Sequence, residues 1–306
     1  MNLLARLSYG FPSGLRKTLR RQVKALNSER RLAREIDEFA HAGARGPLPD
    51  FLIIGAPKCG TSWLSHVLRR QPGVFVVPDE IEYFSSRVDR PLDWYLAQFR
   101  NLAAENDVTL GPDAAPLLGE KSASYCGMPA RRIQLVHRLL PDARLILMIR
   151  DPVTRHWSHA KRFFSKKKAQ DRGYHSLDSR EQLNRFFIGT QRFSEFSRIV
   201  ERWTDVYPPE QILIVAQETA FADPASTLAR VARHIEASGS VDPSLSEGLR
   251  TDKNQGPAIP MPEDVRLYLE HMFAGEAARL EQVLRARYPA QVVREIGFDI
   301  EPRRVA

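Results

Sequence analysis

The sequence has few cysteines and no long apolar run, and each absence narrows the class of protein. Two cysteines, Cys59 and Cys126, occur among 306 residues, which excludes a disulfide framework and favours a reducing compartment. No stretch of eighteen apolar residues and no Cys/His cluster with zinc spacing is present, so neither a spanning helix nor a metal site is expected. The N-terminus lacks the continuous apolar region of a secretory signal, and we therefore expect a cytoplasmic protein.

An excess of charge is also missing from most of the chain. The formal net charge is +8, but residues 1–34 hold nine Lys and Arg against one acid, Glu29. The remainder is balanced, which argues against a nucleic-acid-binding body. Two interpretations of the basic segment stay open: an amphipathic helix that contacts anionic lipid or a partner, or a helix that packs on its own domain. Its apolar residues recur at near-helical spacing: Leu3, Leu4, Leu7, Leu15, Leu19, Val23 and Leu26.

From residue 49 onward, short apolar runs alternate with helical patterns. The runs are rich in Val, Ile and Leu, as in strands buried on both faces of a parallel sheet. The predicted strands are Phe51–Gly55, Val74–Val77, Leu117–Glu120, Leu145–Ile149 and Ile212–Ala216. The predicted helices are Thr61–Arg70, Leu92–Phe99, Ala130–Leu140, Val153–Phe164, Arg180–Tyr207, Pro224–Ile235 and Pro262–Arg287.

This alternation predicts an α/β fold with a central parallel sheet flanked by helices. We expect one domain over residues 49–306, preceded by a basic, helical N-terminal extension and linker over residues 1–48.

The first predicted strand and helix are joined by a loop that is typical of phosphate binding. Residues 55–62 read GAPKCGTS, with the glycine spacing of a P-loop. Backbone N–H groups in such a turn and the following helix N-terminus attract an anion. A nucleoside-triphosphate loop has Lys directly after its second glycine, whereas here Thr61 has that place and Lys58 comes earlier. The domain is therefore predicted to be of P-loop type, with a modified ligand.

The segment from Pro57 to Leu64 resembles the 5′-phosphosulfate loop of sulfotransferases that use 3′-phosphoadenosine 5′-phosphosulfate (PAPS). The resemblance implies that Lys58 stabilises charge on the leaving oxygen and that no metal is required. It also implies that the donor is held by Pro57, Lys58, Cys59, Gly60, Thr61, Ser62 and Trp63.

A second segment resembles the family's 3′-phosphate site. There, Arg150 ends a predicted strand and Ser158 follows on a helix, with Arg155 as a possible assistant. A competing interpretation makes Asp151 a magnesium ligand of a kinase, although Asp151-Pro152 is also typical of a helix start. A looser match, at Arg250 and Lys253, corresponds to a loop that closes over the same phosphate.

The acceptor must lose a proton as it attacks sulfur, so a base is expected. The segment Asp79-Glu80-Ile-Glu82-Tyr-Phe84 resembles the base motif of the glycosaminoglycan branch of the family, with Asp79 replacing its lysine. The resemblance makes Glu80 the base, with Glu82 as the fallback. Lys121, in a Glu-Lys-Ser segment, is a further catalytic candidate that meets the sulfuryl group or the acceptor.

The resemblance therefore implies sulfuryl transfer from PAPS to a hydroxyl or amine, on a saccharide or a small polar metabolite. The alternative is a P-loop kinase that uses ATP and magnesium. A basic run, Lys161 to Lys168, either borders a cleft for an anionic acceptor or is simply solvated.

Overall fold

The fold is seen in a computed structural model, which describes residues 13–42, 47–106, 116–166, 170–171, 173–237, 242 and 258–296. For residues 13–17 it describes the backbone alone. The strands are β1 (Phe51–Gly55), β2 (Val74–Val76), β3 (Leu117–Lys121), β4 (Arg144–Ile149) and β5 (Ile212–Ala216).

Helices cover both sides of these strands along the described part of the chain. They are α1 (Ser13–His41), α2 (Thr61–Leu68), α3 (Leu92–Glu105), α4 (Ala130–Leu139), α5 (Pro152–Phe164), α6 (Arg180–Thr190), α7 (Phe196–Thr204), α8 (Gln217–Ala222), α9 (Pro224–His234), α10 (Glu263–Met272), α11 (Glu276–Arg287) and α12 (Ala290–Ile296). Short 3₁₀ segments lie at Ala123–Gly127, Gln191–Phe193 and Pro209–Gln211.

The strands form one parallel sheet in the order β2-β3-β1-β4-β5. Phe51 of β1 lies opposite Gly119 of β3, and Leu52 of β1 lies opposite Leu145 of β4. After β1, the chain adds β2 and β3 toward one edge of the sheet, and it then adds β4 and β5 toward the opposite edge. Ligands of open α/β sheets bind at such a reversal, beyond the carboxyl ends of the strands.

The predicted α/β fold with a central parallel sheet is confirmed, and each predicted strand agrees with the structure to within one residue. The reason is burial: Phe51, Leu52, Ile53 and Ile54 are all fully buried, so β1 needs apolar side chains on both faces. Close packing also explains Gly119, because a Cβ there would lie 2.2 Å from the Phe51 ring.

The predicted helix Arg180–Tyr207 is wrong as one element. It is interrupted between α6 and α7 by the 3₁₀ segment Gln191–Phe193 and the turn at Ser194. Ser194 is fully buried, and its hydroxyl accepts a hydrogen bond from Arg155 Nε. A tertiary contact therefore determines the break, while the apolar periodicity continues across it.

The predicted helix Pro262–Arg287 is also wrong as one element. It divides into α10 and α11 at Gly275, whose φ is +73°. Glu276, which starts α11, is buried and accepts hydrogen bonds from the Ser197 N–H at 2.7 Å and the Ser197 hydroxyl at 3.1 Å. Helices α8 and α12 were not predicted, because each spans seven residues or fewer.

Helix α1 packs on the domain through its C-terminal half. Leu32 and Ile36 belong to the main core, and Glu29 forms ion pairs of 2.7 Å with Arg131 and Arg132 of α4. The Glu35 carboxylate accepts a 2.7 Å hydrogen bond from the Leu92 N–H at the start of α3. Among the described residues, no helix has both the length and the hydropathy that a membrane span requires.

Candidate active site

The loop between β1 and α2 has a backbone that few residues other than glycine adopt. Lys58 has a φ of +72° and Gly60 a φ of +94°, both in the left-handed region. A Cβ at Gly60 would also lie 3.2 Å from Met148 Cε, a tight contact. The Ala56 N–H donates to the Met148 carbonyl at 2.8 Å, which ties the start of the loop to β4. The conformation therefore explains the glycine at position 60.

Two arginines, one just before α5 and one within it, contact backbone carbonyls of this loop. Arg155 is fully buried, and its Nη1 donates to the Pro57 carbonyl at 3.1 Å. Arg150 Nη1 lies 3.5 Å from the Lys58 carbonyl. With two loop carbonyls turned toward these guanidinium groups, the α5 region helps to set the loop's shape.

Arg155 is itself positioned by a buried polar network. Ser194 Oγ bonds to Arg155 Nε and lies 2.9 Å from His156 Nδ1. His156 Nε2 is 3.2 Å from the Phe187 carbonyl. Burial, and then the charge of Arg155, lowers the pKa of His156 to about 2, so this histidine is neutral and acts as a structural hydrogen-bonding group.

A cleft of about 1210 Å³ opens beside the loop. Most of the predicted site residues line it: Pro57, Lys58, Gly60, Thr61, Ser62, Trp63, Glu80, Arg150 and Ser158. Cys59 does not, because its side chain is fully buried, and burial raises the pKa of its thiol to about 12. Arg155 and Lys121 do not line the cleft, but each contacts a residue that does: Pro57 and Glu80, respectively. The predicted residues Arg250 and Lys253 lie outside the described residues.

One side of the cleft is strongly cationic. Arg150, Lys161, Arg162 and Lys166 line it together with Lys58. Burial lowers the pKa of Lys58 to about 8, and the charges of Arg162, Arg150, Lys166 and Lys161 contribute to the same shift. An anion bound among these groups would offset the repulsion and would compensate Lys58 for its lost hydration.

The other side of the cleft carries two carboxylates from the loop after β2. Glu80 and Glu82 both line the cleft. Lys121 Nζ lies 3.0 Å from Glu80 Oε1, in a pair whose side chains are 11% and 35% exposed. Glu82 Oε2 accepts a 2.8 Å hydrogen bond from the Ser86 hydroxyl, and its backbone φ is +50°. The structure thus gives Lys121 a partner, Glu80, that faces the cleft.

A buried carboxylate, Glu120, is connected by hydrogen bonds to the loop that carries Glu80 and Glu82. It is fully buried and accepts hydrogen bonds from the hydroxyls of Tyr95 at 2.7 Å, Ser122 at 2.6 Å and Tyr125 at 2.6 Å. Burial raises the pKa of Glu120, and these three hydroxyl contacts oppose that shift.

Two of these hydroxyls also accept hydrogen bonds from the acidic loop. The Glu82 N–H donates to Ser122 Oγ at 2.8 Å, and the Phe84 N–H donates to the Tyr125 hydroxyl at 3.3 Å. Glu120 therefore orients Ser122 and Tyr125 to receive the backbone of the loop that carries Glu80.

Sequence reasoning missed several lining residues: Thr154, Trp157, Gln217, Phe221, Ile259 and Met261. Gln217 and Phe221 lie in α8, directly after β5, and their position beyond the carboxyl end of a strand is the signal that could have identified them. Trp63 packs edge to face on Phe221 at 5.5 Å. Trp157 Nε1 donates to the Ile259 carbonyl at 3.1 Å, a long-range contact that leaves no sequence signal.

The start of α5 bears on the competing magnesium interpretation. The Asp151 carboxylate accepts a 2.7 Å hydrogen bond from the Thr154 N–H and caps the helix, with Pro152 in its first turn. This is the helix-start role that the sequence indicates.

Comparison with known proteins gives a consistent result. The family model for the sulfotransferase domain matches residues 48–251, two thirds of the chain. Human heparan sulfate glucosamine 3-O-sulfotransferase 3B1 is 29% identical over 205 residues, covering 64% of this chain and 48% of the relative. The human 3A1 enzyme of the same name is 30% identical over 193 residues, covering 60% and 43%. The chain spans about half the length of the curated relatives it matches.

A solved structure agrees on the fold. A crystal structure of a sulfotransferase from Alicyclobacillus acidocaldarius superposes with a TM-score of 0.56 at 21% identity, covering 81% of this chain and 99% of that one. At this identity the likeness concerns the fold alone. The family model matches the part of the chain that carries the loop at Lys58, the acidic loop and the Arg150 helix, and the chain therefore belongs to the sulfotransferase domain family.

Proposed function

We propose that this protein transfers a sulfuryl group from PAPS to a hydroxyl or amine of a saccharide. One observation carries the proposal: a single cleft is lined by Lys58, by the cationic residues in and before α5, and by the carboxylates of the loop after β2. The strand order explains the arrangement, because Arg150 follows β4 and the acidic loop follows β2, with β1 between them. Donor anions and an acceptor base belong on such opposite flanks of a transferred group.

The residues present fit this donor. Its phosphate and sulfuryl groups are anionic, and five cationic side chains, Lys58 among them, line the cleft. Burial, and then repulsion by the other four, lowers the pKa of Lys58. Trp63 and Phe221 add aromatic surface that suits a planar base. When bound, PAPS supplies the sulfuryl group and a phosphate leaving group.

Lys58 and the loop that carries it are proposed to hold the 5′-phosphosulfate. The left-handed turn at Lys58 and Gly60 leads into α2, whose N-terminal N–H groups attract an anion. Thr61 and Ser62, in the first turn, add hydroxyl donors at the same place. The Lys58 ammonium stabilises negative charge that grows on the leaving oxygen, and a half-buried cation is effective for this because less water screens it than at the surface.

Arg150 and Ser158 are proposed to recognise the 3′-phosphate. Both line the cationic side of the same cleft, and a guanidinium group with a hydroxyl donor suits a phosphate monoester. ATP has no 3′-phosphate, so this pair would distinguish PAPS from ATP.

Glu80 is proposed to accept the proton of the attacking group, and Lys121 to orient Glu80. The 3.0 Å ion pair keeps the Glu80 carboxylate at the cleft in a defined direction. A base must lie within hydrogen-bonding reach of its proton, and orientation by a neighbouring group improves that placement. Glu82, the second carboxylate of the cleft, remains the alternative base.

A saccharide acceptor is supported by the relatives, which are named heparan sulfate glucosamine 3-O-sulfotransferases. Glucosamine residues carry both hydroxyl and amine groups. The cationic side chains Lys161, Arg162 and Lys166 at the cleft suit an acceptor that already carries negative charge.

The experiment is a calorimetric comparison of 3′-phosphoadenosine 5′-phosphate (PAP, the product) with ATP and magnesium, followed by transfer of labelled sulfate from PAPS to glucosamine-containing saccharides. We expect tight PAP binding without metal, and label in the saccharide. Arg150→Met should weaken PAP binding about tenfold or more while changing AMP binding little, because AMP lacks the 3′-phosphate. Magnesium-dependent ATP binding with no PAP binding would instead identify a kinase.

A further inference from the structure

Helix α1 consists of two halves with different surroundings. In the half from Ser28 onward, Ser28, Glu29, Leu32 and Ile36 are buried against the domain. In the described side chains from Thr18 to Asn27, none is buried, and Leu26 is 44% exposed. The N-terminal half therefore packs much less closely on the domain than the C-terminal half does.

The less buried half of α1, from Thr18 to Asn27, has an apolar stripe of its own. Leu19, Val23 and Leu26 are spaced by four and three residues and share one face of a helix. Leu32 follows Val23 by nine residues, which at about 100° per residue places it about half a turn around the helix axis. Val23 therefore faces away from the side of the helix on which Leu32 packs; Leu19 and Val23 are half-buried and Leu26 is exposed.

The same half is basic and contains no acid. Residues 13–27 include five cationic residues and no Asp or Glu: Arg16, Lys17, Arg20, Arg21 and Lys24. Arg20 and Arg21 are exposed, and Lys24 reaches Asp89 at 2.9 Å. In the packed half, by contrast, Glu29 and Glu35 form ion pairs with basic residues.

We propose that the N-terminal half of α1, residues 13–27, docks on an anionic lipid surface. An apolar stripe beside exposed arginines is the pattern of a helix that lies in the plane of the membrane interface. Basic side chains near anionic headgroups add attraction that acts within a Debye length. Docking there would hold the cleft of the domain close to a bilayer.

Charge complementarity favours lipid over the other occupants. A second copy of the chain would bring an equally basic helix, and like charges would repel it. A nucleic acid would satisfy the arginines but would leave the stripe of Leu19, Val23 and Leu26 in water. Anionic lipid matches both the charge and the apolar stripe.

The test measures flotation of the full-length chain with vesicles of phosphatidylcholine alone or mixed with phosphatidylglycerol. We expect binding to the mixed vesicles, little to the neutral ones, and strong weakening at about 1 M salt, where the Debye length is about 3 Å. Arg20→Glu/Arg21→Glu should reduce binding about tenfold or more. The matched control is Arg69→Glu/Arg70→Glu, which reverses an exposed arginine pair elsewhere on the domain.

A second pair of variants tests the stripe. Val23→Asn/Leu26→Asn should weaken binding to mixed vesicles, whereas Ile188→Asn/Leu267→Asn, at two exposed apolar positions of the domain, should not. Thermal unfolding confirms that each variant is folded. Equal binding to neutral vesicles, or equal losses in the α1 and control variants, would overturn the proposal. So would a dimer that Val23→Asn/Leu26→Asn dissociates, since the stripe would then belong to a second copy.

Discussion

Lys121 and Glu80 are joined across two neighbouring strands, with Nζ and Oε1 3.0 Å apart. Lys121 ends β3, Glu80 lies in the loop that follows β2, and only Glu80 lines the cleft. A cation from one strand end thus restrains the carboxylate of the next. The sequence alone makes both residues catalytic candidates. The structure gives them different positions: Glu80 can contact the substrates, whereas Lys121 can orient Glu80.

Replacing Glu80 tests the proposed base. Glu80→Gln keeps the size of the side chain but cannot accept the proton, so we expect kcat to fall by about 100-fold or more. PAP affinity should change little, because the donor is proposed to lie on the cationic side. Steady-state rates and calorimetry measure the two effects. Glu82→Gln is the matched control in the same loop, and a large loss there with near-normal rates in Glu80→Gln would move the base role to Glu82.

Lys121→Met tests whether Lys121 orients Glu80 without itself contacting the substrates. The variant retains the length of the side chain but releases Glu80, and we expect about a tenfold loss in kcat with unchanged PAP affinity. Lys58→Met, in contrast, should lower kcat and PAP affinity together, because Lys58 lines the cleft. The comparison requires both variants in the same transfer and binding assays. A PAP affinity that falls equally in both would place Lys121 at the donor.

PAP binding should depend on pH through Lys58. The pKa of this lysine is about 8 in the ligand-free protein, and an anion favours its charged form. Above about pH 8, where Lys58 is mostly neutral in the free protein, PAP binding must therefore be accompanied by protonation of Lys58. We expect the affinity to change little near pH 7 and to fall by up to about tenfold per pH unit above about pH 8.

The control for this pH dependence is Lys58→Arg, whose guanidinium stays charged throughout the range. Calorimetry should show a clearly flatter profile for this variant. Identical slopes in wild type and Lys58→Arg would assign the dependence to another group.

Comparing Tyr125 with Tyr95 tests whether the hydrogen-bond network of Glu120 positions the acidic loop. Each hydroxyl donates to Glu120, but only that of Tyr125 also receives a loop N–H, from Phe84. Either Phe variant should lose about 1.5–3 kcal/mol of unfolding free energy, since each removes a hydrogen bond to a buried carboxylate. Only Tyr125→Phe should also lower kcat, by about tenfold. Denaturant unfolding and transfer rates separate the outcomes, and equal rates in the two variants would show that the network does not position the acidic loop.

The sequence by itself determined the sheet and the position of the loop between β1 and α2. The five strands follow from apolar runs that are buried on both faces, a local property that burial imposes directly. The loop could be located because glycine, lysine and hydroxyl residues stand at fixed spacing between one strand and one helix. The capping role of Asp151 is local in the same sense, because it involves a residue three positions away.

Only the tertiary structure decided which groups meet. Glu80 and Lys121 are separated by forty-one positions, and Arg155 reaches Pro57 over ninety-eight. No local periodicity encodes such contacts. The break at Ser194 and the turn at Gly275 have the same origin, because buried hydrogen bonds to distant partners outweigh continuing helical patterns there. The sheet brings strand ends together at one edge, and that juxtaposition turns scattered charged residues into a cleft with two chemically different sides.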